Sequence, residues 1–119
     1  HSDYKSHNTF LIDNSEEIGI LDLEELCADT PTFDLARLLA SSEIEQWEGI
    51  ISRYSAERGE DEKKVEEAAF LDYLLYASNI LIYSVKHPES DTGRYVPIFV
   101  ENMSYIYDSL EGSRCTWAR

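Results

Sequence analysis

The chain has 119 residues, and 10 Lys and Arg against 24 Asp and Glu give it a formal net charge of −14 at pH 7. This charge argues against nucleic acid and anionic membrane surfaces as partners, because both would repel the chain. With 43% hydrophobic residues the chain can bury a core, which argues against intrinsic disorder. The length predicts one domain, or part of one.

The sequence shows neither a targeting signal nor a disulfide pattern, and this favours a cytoplasmic protein without membrane contact. The longest apolar stretch, Leu74 to Val85, contains three polar residues and is too short to cross a bilayer. No basic-then-apolar run opens the chain as in a secretory signal. Cys27 and Cys115 lie in no CxxC spacing and are too few to staple a small secreted fold.

Two short apolar segments stand near the beginning of the chain, Thr9 to Asp13 and Ile18 to Asp22. Both are rich in β-branched residues, which favour strands. The residues between them, Asn14-Ser15-Glu16, have the composition of a turn. The pattern therefore predicts a small β-hairpin.

Helical signals begin near Thr30-Pro31, where an N-cap residue precedes a proline suited to the first helical position. The next helix is predicted from Ser42 and Glu45, whose three-residue spacing fits a capping box. Gly59 should end that second helix, since glycine adopts the left-handed conformation of a helix C-terminus at no steric cost.

Two further helices are predicted after Gly59. The third should begin near Asp61 and stop before Pro88, and its apolar residues spread around most of the circumference past Phe70. We therefore expect its second half to be buried. Apolar residues from Ile98 to Leu110 predict a fourth, amphipathic helix. The fold class expected is α+β and mainly helical.

The residues that carry chemistry stand first: His1, Asp3 and Asn8 form the pattern His-x-Asp, four residues, Asn. Kinase catalytic loops have this pattern, because phosphoryl transfer needs a carboxylate to orient the attacking hydroxyl and an amide oxygen to bind Mg²⁺. A second metal-binding carboxylate should follow at the end of a strand. Asp22, which closes the second apolar segment, stands in that place.

The order of these features resembles the aminoglycoside phosphotransferase and choline kinase superfamily. In that family a His-Gly-Asp-x4-Asn loop leads through two strands to Ile-Asp-Trp/Phe-Glu and then to Pro-x-x-Asp-Leu-Ala. Residues 31–36 of this chain read Pro-Thr-Phe-Asp-Leu-Ala. The resemblance is close over residues 1–40, and the later helices match in kind the helical C-terminal lobe of a protein-kinase-like fold.

The resemblance implies a role for each matching residue. Asp3 is expected to be the catalytic base. Asn8 and Asp22 are expected to bind Mg²⁺, with ATP as the co-substrate. His1 and Asp34 are expected to support the catalytic loop, Asp34 as a carboxylate at the start of a helix.

The resemblance also implies a division of the chain into a catalytic and metal-binding segment, residues 1–36, and a helical subdomain, residues 37–119. The family's Gly-rich phosphate loop and strand lysine lie in an N-terminal lobe, and the five glycines of this chain form no such loop. We therefore expect an N-terminal lobe from the same longer protein. Ser2 and Leu23 depart from the family's glycine and aromatic residue.

The resemblance implies a small polar acceptor that approaches close to the metal-binding Asp22, and Glu24, Glu25 and Asp29 follow that residue. A cleft lined by carboxylates concentrates cations. These three residues are therefore candidates for binding a cationic acceptor, such as an aminoglycoside, an amino sugar or a choline-like alcohol.

Three other interpretations compete with a phosphotransferase. The chain could be a catalytically silent kinase-like lobe that acts as a binding or regulatory module. His1, Asp3 and His7 could ligate the metal of a hydrolase, but that leaves the Asn and the later Asp residues of the motif unexplained. The acidic and amide side chains could also simply cap turns.

Overall fold

The computed structural model of the protein describes the strand backbones at residues 9–11 and 18–20 and all residues from 31 to 112. This part of the chain is mainly helical, as predicted. Strand β1, Thr9–Leu11, pairs antiparallel with β2, Ile18–Ile20, with Phe10 opposite Gly19. The predicted turn at residues 14–16 lies outside the described residues.

The helices follow in chain order. They are α1 (Phe33–Ala40), α2 (Ile44–Arg58), α3 (Glu62–Lys86), a 3₁₀ helix (Asp91–Tyr95) and α4 (Val96–Glu111). The chain divides into two compact units, with the boundary between Tyr73 and Leu74. The helices of the first unit are α1, α2 and the first half of α3, and those of the second are the rest of α3, the 3₁₀ helix and α4.

Helix α1 begins two residues later than predicted, at Phe33. Thr32 is its N-cap residue, but the Thr32 side chain makes no capping bond to a helix amide. Its hydroxyl instead donates to Asp72, 40 residues away. The N-cap is thus Thr32 and not the predicted Thr30, and its hydroxyl makes a long-range hydrogen bond in place of a local capping bond.

The capping box predicted for α2 from Ser42 and Glu45 is wrong by one residue. The box is formed by Glu43 and Gln46, and the Glu43 amide donates to Gln46 Oε1 at 3.4 Å. Ser42 cannot serve as the cap because its hydroxyl donates back to the Leu38 carbonyl at 2.7 Å. The serine therefore completes the preceding helix.

The predicted limits of α2 and α3 are confirmed where the signal is local. Gly59 ends α2 in the left-handed region, with φ 65° and ψ 32°. Asp61 Oδ1 accepts the Lys64 amide at 2.9 Å and so caps the start of α3. Helix α3 ends at Lys86, two residues before Pro88.

Substitution of Gly59 by Ala should destabilise the protein by about 1 kcal/mol, because an L-residue pays for the left-handed conformation. A Cβ at this position would meet no atom within 4 Å, so the cost is conformational rather than steric. The measurement is urea unfolding followed by circular dichroism.

Gly49→Ala is the matched control, since Gly49 is an exposed residue inside α2 whose added Cβ also meets no atom within 4 Å. It should stabilise the protein by about 0.5 to 1 kcal/mol. Two changes of the same sign would contradict the account of Gly59.

The core of the first unit forms where α1, α2 and α3 meet around Trp47. Trp47 is 1% exposed, and its ring centroid lies 5.9 Å from that of Phe70 and 5.3 Å from that of Tyr73. The indole N–H donates to the Leu39 carbonyl at 3.0 Å. The other buried apolar side chains in the described part of this unit are Leu35, Ala36, Leu39, Ile51, Val65 and Ala69.

In the second unit, Phe99 of α4 packs edge-on against Tyr76 of α3, with ring centroids 5.9 Å apart. The prediction that the second half of α3 is buried is wrong for four large residues: Leu75, Ile82, Tyr83 and Val85 are 64%, 54%, 48% and 81% exposed. The described part of this unit offers only α4 and the 3₁₀ helix to cover α3. One side of the helix therefore stays open.

By length and composition α3 could cross a membrane, which differs from the expectation for residues 74–85 alone. The difference arises because the helix starts at Glu62, so apolar residues before Leu74 extend the stretch. One such helix is a weak indication, since the core helix of a water-soluble protein passes the same test. Of the apolar window in α3, 28% is buried within the structure.

Candidate functional site

Of the predicted site residues, the structure describes Asp34. The others lie outside the described residues and their roles stay predictions: His1, Asp3, Asn8, Asp22, Glu24, Glu25 and Asp29. The same holds for His7 of the alternative metal site. Among residues 31–112, no group of three or more His, Cys, Asp or Glu side chains is placed to hold a metal ion.

Asp34 is the second residue of α1 and is half-buried. A carboxylate in the first turn of a helix is stabilised by the partial positive charge of the free amide groups there. The position agrees with the predicted helix-start carboxylate. The catalytic loop that it should brace lies outside the described residues.

The two residues before α1, Pro31 and Thr32, form a junction that is held from two other helices. Thr32 Oγ1 donates to Asp72 Oδ2 of α3 at 2.5 Å, and the two residues are 7% and 8% exposed. A hydrogen bond to a charged acceptor in a buried setting is among the strong ones. This bond ties the start of α1 to the middle of α3.

The second tie comes from α2, where the Tyr54 hydroxyl donates to the Pro31 carbonyl at 2.8 Å. Partial burial raises the pKa of this hydroxyl above its usual 10.0, against the opposing charge of Arg58. The negative charges of Glu60 and Asp34 raise this pKa further. Tyr54 therefore keeps its proton, and so the hydrogen bond, at neutral pH.

An open groove of about 580 Å³ lies beside the junction. Its lining residues are Pro31, Thr32, Glu60, Asp61, Lys64, Val65, Ala68, Leu71 and Asp72. The groove thus combines an apolar floor with three carboxylates and one ammonium group. Such a lining suits a molecule that carries positive charge beside an apolar part.

A family model described as the phosphotransferase enzyme family matches residues 1–69, more than half of the chain. The chain belongs to the phosphotransferase enzyme family. The match confirms the resemblance to the aminoglycoside phosphotransferase and choline kinase superfamily. No curated protein and no solved structure matches the chain.

The phosphotransferase match includes every predicted site residue, together with Thr32 of the junction and Tyr54, which donates to Pro31. Asp72 lies just beyond the matched range. The phosphotransferase motif identifies Asp34 but does not identify the residues that hold α1 in place.

The sequence does not indicate that Thr32, Tyr54 and Asp72 form a connected group. One signal was visible: Asp72 is the only charged residue from Ala68 to Val85. A lone carboxylate in an apolar helix has to find a partner if it is buried. That Thr32 is the partner follows only from the packing of α1 against α3.

Proposed function

We propose that the protein is an ATP- and Mg²⁺-dependent phosphotransferase that moves the γ-phosphate to a hydroxyl of a small cationic molecule in the cytoplasm. The family match over residues 1–69 carries this proposal, because that range contains every predicted site residue. The chain would supply the C-terminal lobe of a protein-kinase-like fold. An N-terminal lobe of the same longer protein would complete the nucleotide site.

In this proposal Asp3 orients the acceptor hydroxyl and takes its proton during transfer. Asn8 and Asp22 offer amide and carboxylate oxygens, which are the donors that Mg²⁺ prefers. Bound Mg²⁺ would neutralise the charge of the phosphate groups. His1 and Asp34 hold the loop that carries Asp3.

The anchored start of α1 supports the bracing role of Asp34. A residue that orients a loop must itself be held in place. Two hydrogen bonds fix Pro31 and Thr32, and Asp34 follows two residues later in the same helical turn.

Charge supports a cationic acceptor. The chain carries a net charge of −14, and Glu24, Glu25 and Asp29 follow the proposed metal ligand Asp22. The groove beside the junction adds three carboxylates and one ammonium group, and one of the carboxylates, Glu60, is paired with Arg58 at 2.9 Å. An anionic acceptor would be repelled by this surface.

The test is phosphate transfer from radiolabelled ATP by the full-length protein to two acceptors of similar size, an aminoglycoside and a neutral oligosaccharide. We expect Mg²⁺-dependent transfer, with kcat/KM about tenfold or more higher for the cation at low salt. The preference should shrink as salt is added.

Two results would overturn parts of the proposal. Equal or better transfer to the neutral acceptor would remove the cationic substrate class while leaving the phosphotransferase. Nucleotide binding without transfer to any acceptor would favour the silent binding module instead.

A further inference from the structure

The start of α1 is held by more than its own helical bonds. The Thr32 carbonyl accepts the Ala36 amide at 2.9 Å, so Thr32 belongs to the hydrogen-bond ladder of the helix. Its side chain is bound to Asp72 of α3, and the preceding carbonyl, that of Pro31, is bound to Tyr54 of α2. These three bonds fix both the position and the rotation of the first helical turn.

Asp34 lies in that first turn and in the electrostatic field of the same group. Its negative charge is one of the causes that raise the pKa of Tyr54. Any rotation of the first turn of α1 would move the Asp34 side chain with it.

The chemistry of the Thr32–Asp72 contact indicates orientation rather than stability. Burying a carboxylate costs free energy that an apolar pair of similar volume would not cost. A short hydrogen bond from one hydroxyl to one carboxylate oxygen sets a direction that apolar packing does not set. The pair is suited to aligning α1.

We infer that Thr32, Tyr54 and Asp72 are positioning residues for phosphoryl transfer. The Thr32–Asp72 and Tyr54–Pro31 hydrogen bonds hold the start of α1 and so orient the Asp34 carboxylate. This inference rests on the proposed function. It adds Asp72, Thr32 and Tyr54 to the residues on which turnover depends, although none of them carries out the chemistry.

The test uses the full-length protein and a matched pair of substitutions at Thr32. Thr32→Val keeps the shape and removes the hydroxyl, and it should lower kcat about tenfold while KM for ATP stays within about twofold. Thr32→Ser restores the hydroxyl and should recover most of kcat. Tyr54→Phe, at a half-buried position, should lower kcat about threefold.

A double-mutant cycle separates positioning from a general loss of stability. If the junction acts through Asp34, Thr32→Val should cause no further loss of kcat once Asp34→Asn is present. The control is Ile51→Val, a core change on α2 that removes neither the Thr32–Asp72 nor the Tyr54–Pro31 hydrogen bond. It should have the same fractional effect on kcat with or without Asp34→Asn.

Hydrogen exchange of the α1 amides gives a readout that does not need activity. Exchange should speed up in Thr32→Val and Tyr54→Phe more than in Ile51→Val, and Thr32→Ser should resemble the wild type. Unchanged α1 exchange, or additive losses of kcat in the cycle, would overturn the inference. Should Asp34→Asn keep full activity, the inference fails while the phosphotransferase stands.

An inactive wild-type protein would instead refute the proposed function and, with it, the catalytic part of this inference. Hydrogen exchange would still decide whether the junction holds α1. The failure of the function and the failure of the junction are thus told apart by two separate measurements.

Discussion

Asp3→Asn in the full-length protein should lower kcat by about 10²-fold or more and leave the affinity for nucleotide within about twofold. Asn keeps the shape of the side chain but cannot take the acceptor proton. The carboxylate acts in the transition state, whereas ATP is held mainly by the metal and the N-terminal lobe in the proposed enzyme. The loss should therefore fall on kcat alone.

Steady-state transfer and calorimetric nucleotide binding measure the two quantities separately. Glu57→Gln is the charge-matched control, because Glu57 lies on α2 with a side chain that is 65% exposed. It removes one negative charge without touching a proposed site residue and should leave kcat unchanged. A near-wild-type kcat in Asp3→Asn would contradict the assignment of Asp3 as the catalytic base.

Trp47→Ala should cost about 3 to 5 kcal/mol of unfolding free energy. The indole is 1% exposed, packs on Phe70 and Tyr73, and donates to the Leu39 carbonyl. Truncation would leave a cavity where α1, α2 and α3 meet and would remove the hydrogen bond from the indole to the Leu39 carbonyl, which keeps its bond from the Ser42 amide. Because α1 carries Asp34, function should fall with the folded fraction.

Urea unfolding followed by circular dichroism measures this loss. Leu71→Ala is the control, since it also truncates a large apolar side chain of the first unit, but one that is 56% exposed. It should cost no more than about 1 kcal/mol. Equal losses in the two variants would mean that Trp47 is not at the centre of the core.

The sequence by itself determined the features that depend on neighbouring residues. Gly59 ends α2 because only glycine enters the left-handed region freely, and Asp61 caps α3 because its carboxylate reaches an amide three residues on. The phosphotransferase family can also be recognised from a short part of the sequence, because the motif residues follow one another in order from His1 to Ala36. The match to the family model confirms that reading.

Only the tertiary structure decided what the polar side chains at the helix ends do. The sequence favours Thr30 and Ser42 as N-cap residues, yet the N-cap of α1 is Thr32, which binds Asp72, and Ser42 closes the preceding helix. A hydroxyl has several possible acceptors, and its choice depends on which helix packs against it. The packing of one helix against another cannot be predicted from the few residues around the hydroxyl.

The same limit applies to burial and to the candidate site. The apolar second half of α3 gives the same pattern whether or not a partner covers it, and the structure leaves Leu75, Ile82 and Val85 open. The motif indicates Asp34, but Tyr54 and Asp72 join it only because α2 and α3 fold back onto Pro31 and Thr32. Contacts between residues that are 23 and 40 positions apart are set by the packing of helices, which the tertiary structure alone decides.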